Sequence, residues 1–242
     1  MESPLQNIVD NFDKYRIGLD DVFAFRCRSC GKCCKNRDDI LLNSRDVYNL
    51  ATSLKLTHKQ AIEQYCEVYI GQDSRLPIVR LKPKGVNRVC PLLKGTRCSI
   101  HASKPSVCAL YPIGRISSTE DAPKELGLGN LKEIQYIVLP IRCASLRRKQ
   151  TVRAWLEAIN MPIDDSYFHA WNEALVELIK NIKKFENASG AGRSGVEMLW
   201  GAIYQAVYTD YDTSKEFRPQ FDYNMAKILK LFERLQEQLK NA

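Results

Sequence analysis

Four of the chain's nine cysteines fall within eight residues, at Cys27, Cys30, Cys33 and Cys34. A Cys-x-x-Cys turn brings two sulfurs close enough to share one metal ion, and its short loop is preorganised for that task. Here two such turns overlap and end in a vicinal pair. Adjacent side chains tend to diverge, so Cys33 and Cys34 are expected to serve two different centres, or one of them to stand outside the ligand set. Gly31 lies between the second and third thiols, where an unusual backbone angle or an amide turned towards sulfur would be needed. A second group follows: Cys90-Pro91-Leu92-Leu93, then Arg97-Cys98-Ser99-Ile100-His101, then Lys104-Pro105-x-x-Cys108, with Tyr111-Pro112 beyond. Prolines beside cysteines stiffen the loops and remove competing amide donors. Cys143 completes a set of eight, and eight thiols divide evenly into two four-coordinate sites, whose pairing the sequence does not assign.

The chemistry open to such a set is narrow. Thiolate-only ligation suits tetrahedral zinc and iron–sulfur clusters alike. A bacterial ferredoxin run, Cys-x-x-Cys-x-x-Cys-x-x-x-Cys-Pro, is not met because Arg37 stands at the fourth thiol position. The radical-initiating spacing Cys-x-x-x-Cys-x-x-Cys, begun at Cys30 and Cys34, also ends on Arg37. A thioredoxin-like dithiol would need one isolated Cys-x-x-Cys beside a βαβ pattern. Ninth in the series, Cys66 sits apart among Ile62, Tyr65 and Tyr69 and reads as a buried structural thiol. His101 is a lone histidine after a cysteine; His58 and His169 lie in helical contexts with no neighbouring ligands. No nucleophilic triad is legible. Arg97, Lys104 and Tyr111 cluster around the cysteine loops, where they would offset thiolate charge through hydrogen bonds to sulfur.

The elements that must position these residues divide the chain at about residue 146. Residues 1–146 read as a cysteine-rich metal-binding region with short strands and loops. Ile40-Leu41-Leu42 is a short strand, and Ser44 caps a helix from Arg45 to Leu54. Thr57 with Gln60 forms a capping box that starts a helix running through Ile70 and containing Cys66. Leu76–Lys82 and Ile134–Ile141 read as strands rich in Val, Ile and Leu. Residues 147–242 read as helical, with apolar stripes at spacings of three and four: Val152, Trp155, Leu156 and Ile159; Trp171 to Phe185; Met198 to Val207; Met225 to Leu239. The expected fold is α+β, a cysteine-cluster region packed against a mainly helical C-terminal part. Gly190-x-Gly192-x-x-Gly195 matches a dinucleotide fingerprint in letters only, since a polar, helical segment and no strand precedes it.

Length, charge and composition set the outer limits. The 242 residues suit one large domain or two closely packed small ones, and 45% hydrophobic content excludes a disordered chain. No apolar run approaches the length of a membrane span, and Met1–Asp20 lacks the pattern of a secretory signal. A cytoplasmic setting is therefore expected, in which disulfides are rare. The net charge of +8 would fall to roughly +4 if two four-thiolate sites of about −2 each were filled. A nucleic-acid partner is thus weakly supported, and the basic run Arg142, Arg147, Arg148, Lys149 and Arg153 reads more simply as a solvated helix start.

Phe25-x-Cys27-x-x-Cys30-Gly31-x-Cys33-Cys34, together with the second cysteine group, resembles the YkgJ-type cysteine-cluster proteins, whose shared domain is described as zinc- or iron-chelating. Thr151-Val152-x-x-Trp155-Leu156 and Trp171-Asn172-Glu173 resemble the same family, so the likeness extends over most of the chain. Two positions depart from it: His101 stands where the family has Tyr, and Lys104 where it has Arg. Neither removes a thiol. The eight thiols and the near-absence of histidine partners point to iron–sulfur, as one or two 4Fe–4S clusters, on Cys27, Cys30, Cys33, Cys34, Cys90, Cys98, Cys108 and Cys143; the alternative is zinc in a binding module or metal carrier. The module is similar to one in flagellin lysine methylases, which makes a cluster-dependent modifying enzyme one possible role. It leaves the reaction and its protein or small-molecule partner open.

Overall fold

The computed structural model describes residues 12–37, 39–117, 133–141, 148–188 and 192–240. Cys143, Arg142, Arg147 and Gly190 lie outside the described residues. The architecture is α+β, with small antiparallel sheets mostly in the N-terminal half and long helices in the C-terminal part. The chain divides into two compact units.

The first unit comprises residues 1–33, 95–97 and 106–176. A short helix α1 (Phe12–Tyr15) leads into β1 (Arg16–Ile17) and β2 (Val22–Ala24). Later come α4 (Ser106–Leu110), β8 (Ile113–Ile116), β9 (Gln135–Val138), β10 (Lys149–Thr151), α5 (Val152–Ala158) and the first half of α6 (Ser166–Glu186). Strands β1, β9 and β8 form one antiparallel sheet in that order, and β2 pairs with β10. Phe23, Phe25, Leu110, Ile113, Tyr136, Val152 and Leu156 close over one another as its core. Thr151 caps α5 through its hydroxyl, which accepts from Ala154 N–H at 3.1 Å. That places Val152 and Leu156, four apart, on the buried face.

The second unit comprises residues 34–94, 98–105 and 177–242. Here β3 (Leu41–Leu42), β5 (Pro77–Leu81) and β4 (Cys66–Ile70) form an antiparallel sheet with β5 central. Helices α2 (Ser44–Leu54) and α3 (His58–Tyr65) adjoin it. Helix α7 (Arg193–Tyr204) packs on β5, and its π-helical extension Gln205–Thr209 packs on α2, α3 and α8 (Phe217–Lys240). Thr57 and Gln60 form the expected capping box, with the hydroxyl accepting from Gln60 N–H at 3.2 Å and the side-chain carbonyl accepting from Thr57 N–H at 3.0 Å. Two details differ from the sequence reading. The cap of α2 is Asn43, whose side chain accepts from Asp46 N–H at 2.8 Å, and Ser44 is the first helical residue. Helix α3 ends at Tyr65, and Cys66 opens β4, because Cys66–Ile70 pairs residue for residue with Leu81–Pro77. A full set of ladder partners outweighs continuation of the helix. Among the described residues the element before Gly192 is helix α6, not a strand; Gly192 caps α7 and Gly195 lies inside it. Among the described residues no helix is long and apolar enough to cross a membrane.

Candidate metal-binding cysteine cluster

The first unit carries Cys27, Cys30, Cys33 and Cys108. Strand β2 and the residue after it hold the base of the first loop. Phe25 is 2% exposed, its amide donates to Arg148 C=O at 3.0 Å, and its carbonyl accepts from the Gln150 side chain at 2.9 Å. The Phe25 ring meets Tyr111 and Trp155 edge-on, both at 5.6 Å between centroids. The Trp155 indole N–H donates to Leu110 C=O at 2.9 Å. One aromatic cluster therefore ties down the chain two residues before Cys27 and two to three residues after Cys108. Beyond Phe25 the loop turns through two left-handed residues, Ser29 at φ 52° and Gly31 at φ 69°. Gly31 adopts the angle its lack of a Cβ permits, as the sequence implied. The Ser29 amide donates to Cys27 Sγ at 3.4 Å, the amide-to-sulfur contact that stabilises a thiolate.

The second unit carries Cys34, Cys90, Cys98 and Cys66. Cys90 N–H donates to Cys34 C=O at 2.8 Å, and Asn36 N–H to Asn87 C=O at 3.0 Å, so the two cysteine segments run as a short antiparallel ladder. Leu93 N–H then returns to Cys90 C=O at 3.1 Å, and Ser99 N–H donates to Leu92 C=O at 2.8 Å. That lacing brings the Cys98 segment beside the Cys90 segment, around β6 (Leu93–Lys94) and β7 (Arg97–Cys98). Leu92 and Ile100, 1% and 6% exposed, anchor it. A tight helical turn at Lys32–Cys34 spans the vicinal pair, and the boundary of the compact units falls between Cys33 and Cys34.

The candidate ligands are accessible: Cys27 is exposed, and Cys30, Cys33, Cys34, Cys90, Cys98 and Cys108 are half-buried. Cys66 is buried, and burial first, then the neighbouring Cys90, pushes its thiol up to about 12. It is therefore a neutral thiol at the edge of β4. His58 is buried beside the rings of Tyr48 and Tyr211, and His169 lies 3.2 Å from Asp164. Among the described residues, no three or more His, Cys, Asp or Glu side chains are gathered within reach of one metal ion. The donor chemistry fits a thiophilic metal, and the backbone pairs segments within each unit, but the described sulfurs do not form a closed coordination set. Sequence reasoning did not foresee the Phe25–Tyr111–Trp155 clamp. Its signal was present in the aromatic residues standing two and three positions from Cys27 and Cys108.

No curated protein and no solved structure matches the chain significantly. A family model does, over residues 26–135, and its description is "CxxCxxCC: Putative zinc- or iron-chelating domain". The matched stretch takes in every candidate ligand from Cys27 to Cys108 and stops short of Cys143 and the long helices. Residues 26–135 are thus a YkgJ-type cysteine-cluster domain of the CxxCxxCC family.

Proposed function

We propose that the protein carries one or two 4Fe–4S clusters, with Cys27, Cys30, Cys33, Cys34, Cys90, Cys98, Cys108 and Cys143 as the ligands. The observation that carries this reading is four thiols in eight residues, with no histidine interleaved, inside a domain described as zinc- or iron-chelating. Soft sulfur donors alone favour iron–sulfur or zinc over harder metals. When bound, such a cluster supplies one-electron transfer, and its potential responds to hydrogen bonds at sulfur and to exposure. The Ser29 amide on Cys27 and the half-exposed thiols would act on it in those two ways. A redox or cluster-dependent modifying role follows; the alternative is a zinc-stabilised binding module. The unit boundary between Cys33 and Cys34 supports assigning the vicinal pair to separate ligand sets.

Anaerobic purification with iron, sulfide and zinc counted per chain tests the reading. Iron with equal sulfide and a broad visible band is the expected result, at about four of each per cluster. Zinc without sulfide would overturn it in favour of the binding module. With two clusters, Cys33→Ala and Cys34→Ala should each remove about half of the iron rather than all of it.

A further inference from the structure

Where α7, its π-helical extension and α8 meet in the second unit, they line an open cavity of about 330 Å³. It is lined by the apolar side chains of Ala202, Ala206, Ile228 and Leu231, by Gln205 and Asp210, and by the cations Lys227, Lys230 and Arg234. The volume lies at the small end of ligand-sized pockets, which are mostly apolar with a few convergent polar groups. Three observations point to an anion. Lys230 and Arg234 are four residues apart on one helix, where like charges repel and destabilise the helix. Neither makes an ion pair or hydrogen bond with any described residue, and both are exposed. The third cation, Lys227, is already matched by Asp210 at 3.3 Å. Moreover, the cavity lies against the π-helical turn Gln205–Thr209, a distortion found frequently at functional sites. Small side chains at Ala202 and Ala206 leave open the space that larger ones would fill.

We propose that this cavity binds a small amphipathic carboxylate, with the carboxylate held between Lys230 and Arg234 and a short aliphatic body on Ile228, Leu231, Ala202 and Ala206. The site is independent of the cysteine cluster, and its test does not need metal. Decanoate would be titrated into the full chain by calorimetry, with decanol as the uncharged probe and phosphatidylglycerol vesicles as the alternative source of an amphipathic anion. Decanoate should bind at one site. The exposed double variant Lys230→Glu, Arg234→Glu should weaken it at least about tenfold, because charge-assisted hydrogen bonds are lost; decanol should bind more weakly than decanoate to the unmodified chain. Ala202→Leu, which narrows the cavity without touching the charges, should also weaken decanoate. Absence of binding, or equal binding to the double variant, would overturn the proposal. Vesicle binding without decanoate binding would overturn it in favour of a lipid surface.

Discussion

Acidification should weaken the second unit through one imidazole. His58 is the first residue of α3, 3% exposed, with its Nε2 unpartnered among the described residues. The rings of Tyr48 and Tyr211 stand 5.7 and 5.5 Å from it. Burial lowers its pKa from 6.5 to about 4, and a cation at a helix N-terminus is disfavoured in any case. Above pH 6.5 neither the folded nor the unfolded chain holds the proton, so His58 does not affect stability there. As pH falls from 6.5 towards 4, the unfolded chain takes up a proton that the folded chain refuses, and stability is lost across that window. One pKa unit is worth about 1.4 kcal/mol, so the loss is about 2 kcal/mol by pH 5 and about 3 kcal/mol by pH 4. Urea denaturation at about pH 7.5 and about pH 5, on the parent chain and on His58→Phe, isolates the effect: the parent should lose about 2 kcal/mol more than the variant. Asp20 and Asp212, whose carboxyls are held below their usual value by Arg153 and Ser214 respectively, titrate at lower pH and are shared by both proteins. Equal losses in parent and variant would refute the reasoning, because the imidazole would then be protonated as readily in the fold as outside it.

Three further outcomes are expected. Arg115 and Asp165 form an ion pair at 3.0 Å with both side chains 3% exposed, and Asp165 also accepts from the amides of Tyr167 and Phe168; Arg115→Met, which strands a buried carboxylate, should cost about 3–5 kcal/mol in chemical denaturation. Cys66→Ala should leave metal content per chain unchanged, since the thiol is buried and neutral, and a loss of metal would make Cys66 a ligand. Stripping metal with a chelator should leave far-UV circular dichroism largely intact while hydrogen exchange quickens in residues 26–37 and 87–108. The buried aromatic and aliphatic side chains of the first unit's core contribute about 1.5–3 kcal/mol each without metal.

Much of this was legible because the signals were local. Thr57 and Gln60 lie three residues apart and satisfy each other's helix terminus wherever they occur. The apolar stripes of the C-terminal half required only the helical period: Val152, Leu156, Leu178, Ile182, Leu199, Ile203, Ile228 and Phe232 are all buried. The cysteine spacing likewise pointed to a chelating domain for zinc or iron, which the family match over residues 26–135 supports. What escaped the sequence depends on distant partners. Cys66 left the helix pattern of Ile62 and Tyr65 because Leu81, fifteen residues on, offers it a ladder. Asn43 outcompeted Ser44 as a cap because Asp46 completes its capping box. The clamp that fixes the Cys27 and Cys108 loops joins Phe25 to Trp155 across most of a domain's length, a pairing no local rule contains.

Backbone strain in the chain is not spread evenly, and its distribution bears on what the cysteine loops are for. Six described residues other than glycine adopt the left-handed region, and three of them, Ser29, Asn36 and Arg88, lie within two positions of Cys27, Cys30, Cys34 or Cys90. For a residue such as Arg88 that conformation costs on the order of 1–2 kcal/mol; for Asn36 it costs less, because Asn tolerates it. Hydrogen bonds answer part of the cost: Arg88 N–H to Gly85 C=O at 3.1 Å, Asn36 N–H to Asn87 C=O at 3.0 Å, Ser29 N–H to Cys27 Sγ at 3.4 Å. Strain of this kind persists where the surroundings over-determine it, and it concentrates at ligand sites. Phe25, Leu92 and Ile100 anchor the bases of the loops, whereas most of their cysteines are half-exposed. Metal–thiolate bonding, at about 10–16 kcal/mol for a structural zinc site, would be more than large enough to offset the rest. The strained turns are what the proposed ligation by these cysteines would lead one to expect, read from backbone conformation instead of residue identity.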